Sequence, residues 1–320
     1  MNEMGKSEFE QVSFFEKLYL KIADRKQYTK YKYWLAEQKW KATVDNYLQK
    51  HHQESYKSID DLKKLSTINV LHSGNAGDII YSLPTIKKIF ELTHRKCNYL
   101  LRIDQPHNIG EQYDHPLGGV MLNKEIAAML QPLLVAQPYI ESCDIFINQT
   151  IDINLDNFRK IGLMLDRGDI SRWCGYITGV VPDVYKPWLE VEPDDRYNKA
   201  IVINRSSRYR NPNLDYAFLR RYGQIYFIGI RSEYDDIKAF IPNIKWIEVD
   251  HFLQLAQIIR GCDVFIGNQS FPFSVAEALK VPRVLEMCVF TPNVIPQGEH
   301  GHDVYFQSHF ESTVKSLTNV

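Results

Sequence analysis

Ile68-Asn69-Val70-Leu71-His72-Ser73-Gly74-Asn75-Ala76-Gly77-Asp78-Ile79-Ile80 is the stretch on which the reading of this chain turns. A short apolar run ends at His72, and two glycines follow close behind it. From Ile79 an apolar pattern then continues through Ile80, Leu83, Ile86 and Ile89 at helical spacing. Strand, tight turn and helix in that order are the opening of a βα unit. Glycines at the turn let the backbone bend sharply and approach a ligand closely. The helix is expected to begin near Asp78, with Pro84 as a kink or a restart.

The same alternation extends outward. Downstream, residues 97–103 and 143–147 are expected strands and 123–136 an expected helix. The loop 104–120 carries His107 and His115, and 151–180 resists assignment. Tyr185-Lys186-Pro187-Trp188 and Glu192-Pro193-Asp194-Asp195 have the character of a linker. Beyond it, strands at 200–204, 224–229, 244–249, 264–267 and 283–287 alternate with helices at 213–222, 235–240, 252–261 and 272–279. Such alternation implies right-handed crossovers and parallel sheets. Upstream, residues 1–65 have a helical pattern, with Val12, Phe15, Tyr19 and Ile22 on one face and Trp40, Val44, Tyr47 and Leu48 on another. The expected organisation is a helical extension (1–65) followed by two Rossmann-like domains (66–190 and 191–320).

Bulk properties narrow the function. The chain has 320 residues and a net charge of -1, so as a whole it is not an electrostatic nucleic-acid binder. One basic stretch stands out: Lys26, Tyr28, Lys30, Tyr31, Lys32, Tyr33, Trp34, Lys39, Trp40 and Lys41. Interleaved bases and aromatics suit either stacking on nucleobases or a helical hairpin with solvated lysines. The five cysteines form no CxxC pair, which fits a reducing compartment better than a disulfide framework. The first twenty residues lack an apolar signal core and no run is long enough to span a bilayer. The expected location is cytoplasmic, with peripheral membrane contact left open. His300 and His302 flank Gly301, but no metal-ligand spacing emerges among the histidines, and no metal is expected.

In a parallel sheet, ligands bind beyond the carboxyl ends of the strands. Four loops qualify. After 68–72 come Gly74, Asn75, Gly77 and Asp78, with Asp78 either a helix cap or a general base in a cleft; His72 either lines the acceptor side or packs. After 200–204 come Arg205, Ser206, Ser207, Arg208, Tyr209 and Arg210, whose guanidiniums match phosphate oxygens. After 224–229 comes Glu233, for a ribose hydroxyl pair or a helix cap. After 264–267 come Asn268, Gln269, Ser270, Phe271, Pro272 and Ser274, where a helix start suits a phosphate group.

Gly77-Asp78-Ile79-Ile80-Tyr81-Ser82-Leu83-Pro84 resembles the N-terminal signature of the heptosyltransferase family, glycosyltransferase family 9. The run Leu255, Ala256, Cys262-Asp263, Gly267-Asn268, Ser270, Pro272, Ala278-Leu279, Val281-Pro282 is similar to that family's donor-site segment. The resemblance covers roughly residues 68–90 and 200–290. It implies a GT-B fold with the active site in an interdomain cleft. It also implies inverting transfer from a nucleotide-diphosphate sugar, with no metal and no other cofactor. Asp78 then matches the family's base, the 205–210 loop its phosphate-binding loop and Glu233 its ribose-binding carboxylate. Two departures stand out: Gln269-Ser270-Phe271 replaces Asp, Ser/Thr and Gly, and Ser274 stands where His is common. Gln269 and Glu277 keep the spacing of the E-x7-E pattern of other GT-B enzymes with the first acid replaced, so Glu277 is either a donor ligand or a helix residue. The expected acceptor is a surface-glycan or lipid-linked saccharide. The rivals are a modified DNA base, a catalytically silent nucleotide-binding GT-B protein, and a related transferase such as a pyruvyl one.

Overall fold

The computed structural model describes residues 12–50, 57–107 and 117–318. The parts of the expected extension at 1–11 and 51–56, and the loop residues 108–116 with His115, lie outside the described residues. The chain forms two compact units, Met1–Glu54 with Arg159–Leu163, and Ser55–Phe158 with Met164–Val320. The segment 159–163, placed by sequence in the first Rossmann-like domain, thus belongs with the helices. Gly162 (φ +77°) shows why: a Cβ there would stand 3.1 Å from Trp40 Cδ1 and 3.3 Å from Thr43 Cγ2.

The first unit contains α1 (Phe14–Ala23) and α2 (Arg25–Lys50). A capping box starts α1: Ser13 N–H donates to Glu16 Oε2 (2.8 Å), and Glu16 N–H donates to Ser13 Oγ (3.3 Å). Asp24 then accepts from Gln27 N–H at 2.9 Å and starts α2.

The second unit runs α3 (Ile59–Leu62), β1 (Ile68–His72), α4 (Ala76–Thr93), β2 (Cys97–Leu101), α5 (Lys124–Val135), β3 (Ile140–Ile145), β4 (Ile153–Asn154) and α6 (Trp173–Thr178). It continues β5 (Ile201–Asn204), β6 (Ile225–Ile228), α7 (Arg231–Lys238), β7 (Lys245–Ile247), α8 (Phe252–Gly261), β8 (Val264–Gly267), α9 (Phe271–Leu279), β9 (Arg283–Glu286), β10 (Gly301–Val304) and α10 (Gln307–Thr318). Two sheets result, ordered β3-β2-β1-β4 and β10-β9-β8-β5-β6-β7. Every pairing within them is parallel. The central strands β5 and β8 are buried along their whole length, as parallel strands covered on both faces must be. Ile203, Phe227, Ile266, Val284 and Phe310 close the core of the second sheet.

Local chemistry explains where expectation and structure part. α4 begins at Ala76 with Asn75 as its N-cap, so Asp78 is the third helical residue and not the cap. The helix also passes through Pro84 unbroken. Proline cannot donate to the carbonyl four residues back, which here is Ile80. The Trp188 indole N–H fills that role, donating to Ile80 O at 3.0 Å. The Trp188 backbone N–H donates to Ala278 O (2.9 Å), and the Tyr139 hydroxyl donates to Trp188 O. Within the expected linker, buried Trp188 therefore ties α4 to α9, while Tyr185, Lys186 and Pro187 before it are exposed. The helix expected at 213–222 is only a short 3-10 turn at Ala217–Arg221. Asn213 N–H donates to Asn211 Oδ1 (3.0 Å) and Ala217 N–H to Asp215 Oδ1 (2.8 Å), local bonds that compete with a helix.

Two buried ion networks fasten the second sheet. Glu286, fully buried, accepts from the Arg205 guanidinium twice (2.8 and 2.9 Å), from Asn211 N–H (2.5 Å) and from the Tyr216 hydroxyl (2.9 Å). Glu277, also buried, takes Arg283 and Lys280 and accepts from Gln297 N–H at 3.0 Å. Lys280 lies over the Trp188 ring, 4.4 Å from its centroid. Burial lowers its ammonium from 10.5 to about 8, against the pull of Glu277. The native chain then releases this proton near pH 8 while the unfolded chain holds it to about 10.5. Between those values the unfolded state binds more protons, so this group makes stability rise with pH. Lys280→Met is expected to lack that rise, as urea midpoints on either side of the window will read.

All five cysteines are buried. Burial pushes the thiols of Cys97, Cys143 and Cys262 up to about 12, which leaves these three inert as nucleophiles.

Candidate functional site

The ends of β1, β5, β6 and β8 deliver the candidate residues. At the first, Ser73 N–H donates to Asp156 Oδ1 (2.8 Å) and Gly74 N–H to His72 Nδ1 (2.8 Å), which fixes the turn. His72 is fully buried between Tyr99 and Phe158, at ring-centroid distances of 6.5 and 6.2 Å. Of the two roles the sequence left open, packing is the one seen: the ring lies in the interior and holds the turn through Gly74 N–H. Asp78 is half-buried at the start of α4, its Oδ2 accepting from Asn75 N–H at 3.2 Å.

The start of α4 meets the start of α9. A Cβ built on Gly77 would lie 3.9 Å from Ser274 Oγ and 4.0 Å from Phe271 Cα. Two helix N-termini from the two sheets, each positive in partial charge, thereby converge on one place. An added methyl is in ordinary contact range there, but a ring is not. Gly77→Ala is expected to fold with unchanged or slightly higher stability. Gly77→Phe is expected to force the two helix starts apart and lower stability, which urea unfolding will measure.

The loop after β5 is tied to the same place. Asn268, fully buried, accepts from Ser206 N–H (3.0 Å) and Ser206 Oγ (3.2 Å), and donates to Ser206 O (3.0 Å) and Arg208 O (2.6 Å). Ser207 N–H donates to Glu233 Oε1 at 2.9 Å. Arg210 donates to Ser206 O (3.0 Å) and to Asp236 Oδ2 (3.0 Å). The loop is thus built in advance, from the ends of β5, β6 and β8 together. Burial raises the Glu233 carboxyl, opposed by the Ser207 N–H and by Arg210 and Arg208.

This geometry sorts the expected ligand contacts. Arg205 is committed to Glu286, to Leu214 O (3.2 Å) and to the Tyr216 ring, 4.5 Å below its guanidinium. It buttresses the loop and does not present itself to an anion. Asn268 and Ser206 spend their polar atoms on the same loop, and Glu277 spends its own on Arg283, Lys280 and Gln297. These four residues are scaffolding in the structure. Arg208 differs: among the described residues no carboxylate pairs with it, and Ser207 beside it is exposed. At the head of α9, Ser270 caps the helix, Ser274 Oγ donates to Phe271 O (2.6 Å) and the Phe271 ring packs, tilted by 44°, against Phe252 at 4.2 Å between centroids. Gln269 donates to Thr291 O (2.7 Å) and Asn293 Oδ1 (2.6 Å), while its Oε1 is buried with no hydrogen-bond partner. Thr291, Asn293 and Phe252 escaped sequence reading; they sit in an irregular loop and a helix that announce only packing.

Two parallel α/β sheets whose strand ends face a common helix-lined junction define a GT-B fold. Solved structures of bacterial proteins share it. The E. coli heptosyltransferase WaaC, in structures with ADP and with ADP-2-deoxy-2-fluoro heptose, matches with TM-scores of 0.53 and 0.52 at 7% and 8% identity. Each match covers 78% of this chain and 99% of WaaC. A glycosyl transferase family 9 structure from Veillonella parvula DSM 2008 matches with a TM-score of 0.49 and 14% identity, over 79% of this chain and 89% of that one. The sequence matches no protein-family model and no curated protein.

Proposed function

We propose that the chain is an inverting, metal-independent glycosyltransferase. It would move a sugar from a nucleotide-diphosphate donor to the hydroxyl of a glycan or lipid-linked saccharide. The observation that carries the reading is the meeting of the α4 and α9 N-termini, with the Asp78 carboxylate on one and the Arg208 loop anchored beside the other. The diphosphate belongs at the start of α9, where the helix dipole, Arg208 and the Ser207 hydroxyl favour negative charge. As the sugar–phosphate bond breaks, the same groups hold the departing charge. Asp78 takes the proton of the attacking acceptor hydroxyl. Glu233 accepts from a ribose hydroxyl of the nucleoside while its Oε1 steadies the loop through Ser207 N–H. The unpartnered Gln269 Oε1 accepts from a hydroxyl of the donor sugar; being neutral, it selects a donor differently from an acid at that place. The fold shared with WaaC, whose structures hold ADP and ADP-2-deoxy-2-fluoro heptose, supports a nucleotide sugar as the donor class.

Thermal denaturation with ADP, UDP, GDP and CDP tests the donor half, because a ligand of the folded form alone raises its stability. One of them is expected to raise the midpoint, and Arg208→Ala to weaken its binding about tenfold or more, the worth of a charged hydrogen bond. No shift with any of the four would contradict the site. A second reading has its own observation. Arg205 and Glu277 are saturated by internal partners, and Gln269 is uncharged, as in a protein that binds nucleotide without transferring sugar. Nucleotide binding with no turnover of any nucleotide sugar would favour that reading.

A further inference from the structure

We propose that α1 is a surface anchor for an anionic lipid bilayer. None of its ten residues is buried. Phe14 is 73% exposed, Phe15 80%, Leu18 44%, Tyr19 69% and Ile22 79%. At helical spacing these five side chains share one arc of the helix, while half-buried Leu20 lies on the opposite side. The capping box at Ser13 and Glu16 starts the helix without help from the stripe. The stripe is thus a folded apolar face left in water, which marks an interaction surface.

Charge decides the occupant. Residues 12–50 carry nine Lys and Arg against four Asp and Glu, a net charge of +5 in a chain whose total is -1. Lys17 and Lys21 stand on α1 itself, next to the stripe. A second copy docking face to face would bring like charges together. A nucleic acid would satisfy the lysines and leave the five apolar side chains wet. An anionic bilayer takes both, apolar side chains at the acyl boundary and lysines among the headgroups. No helix among the described residues is long and apolar enough to cross a membrane, so the contact lies on the surface. The inference stands apart from the transfer reading, because it concerns α1 and needs no nucleotide.

The test is sedimentation of the full chain with vesicles of phosphatidylcholine, with and without phosphatidylglycerol. Binding is expected to the mixed vesicles, to fall with added salt, and to disappear in Phe15→Glu/Ile22→Glu. Lys17→Gln and Lys21→Gln are each expected to weaken it about fivefold, the worth of one charge at an anionic surface. The thermal midpoints of all these variants without vesicles are expected to equal that of the parent. Absence of binding to either vesicle, or binding indifferent to the substitutions, would overturn the proposal. So would a lowered midpoint in Phe15→Glu/Ile22→Glu, which would mean that the chain itself covers the stripe. A concentration-dependent dimer lost on these substitutions would assign the face to a second copy. Duplex DNA binding lost with the lysines would assign it to nucleic acid.

Discussion

Asp78→Asn is expected to lower the rate of sugar transfer by about 10²–10⁴-fold, the usual worth of a positioned general base. Nucleotide affinity is expected to stay within about twofold, since the side chain lies at the start of α4 and not among the donor loops. The substitution is nearly isosteric, and an amide oxygen still accepts from Asn75 N–H as the carboxylate does at 3.2 Å. The helix start therefore survives and only the proton acceptor is removed. Product formation under saturating donor reads the first quantity and calorimetry with the nucleoside diphosphate the second. Full activity in this variant would remove Asp78 from the chemistry. Equal loss of activity and of nucleotide binding would make it a structural residue of the junction.

Glu277→Ala is expected to cost about 3–5 kcal/mol of folding stability, the usual cost of leaving a buried charge without its partner. Arg283 is fully buried, and Lys280 nearly so, with the carboxylate of Glu277 between them. Removing it leaves two cations facing each other in the interior and the Gln297 N–H without its acceptor. The double variant Glu277→Leu/Arg283→Met is expected to recover much of the loss, because a buried pair replaced by apolar side chains of similar volume is often neutral. Urea unfolding measures both. A stable Glu277→Ala that lost only nucleotide binding would restore Glu277 to the ligand contacts.

Parts of this architecture were legible in the sequence and parts were not, for identifiable reasons. β1, β5 and β8 are short apolar runs bounded by polar turns, so they declare themselves. β4 is two residues long and β10 is the polar edge strand Gly301-His302-Asp303-Val304; neither offers a period to detect. Helical spacing revealed α4, but the carbonyl of Ile80 that Pro84 leaves without a donor is taken by Trp188, which lies 108 residues beyond Ile80. The candidate site shows the same division. Gly77, Asp78 and the loop after β5 stand out because each follows a strand end. The partner that occupies Arg205 does not, since Glu286 is 81 residues away and becomes its neighbour only when β9 joins the sheet. An arginine next to a strand end looks the same in sequence whether it awaits an anion or already holds one.

Amide hydrogen exchange with and without the stabilising nucleoside diphosphate tests the central claim most directly. Added protection is expected at residues 205–208, 231–233 and 268–274, with the start of α4 protected further when an acceptor analogue is also bound. Protection confined to other segments, or nucleotide binding that leaves these three unchanged, would contradict it.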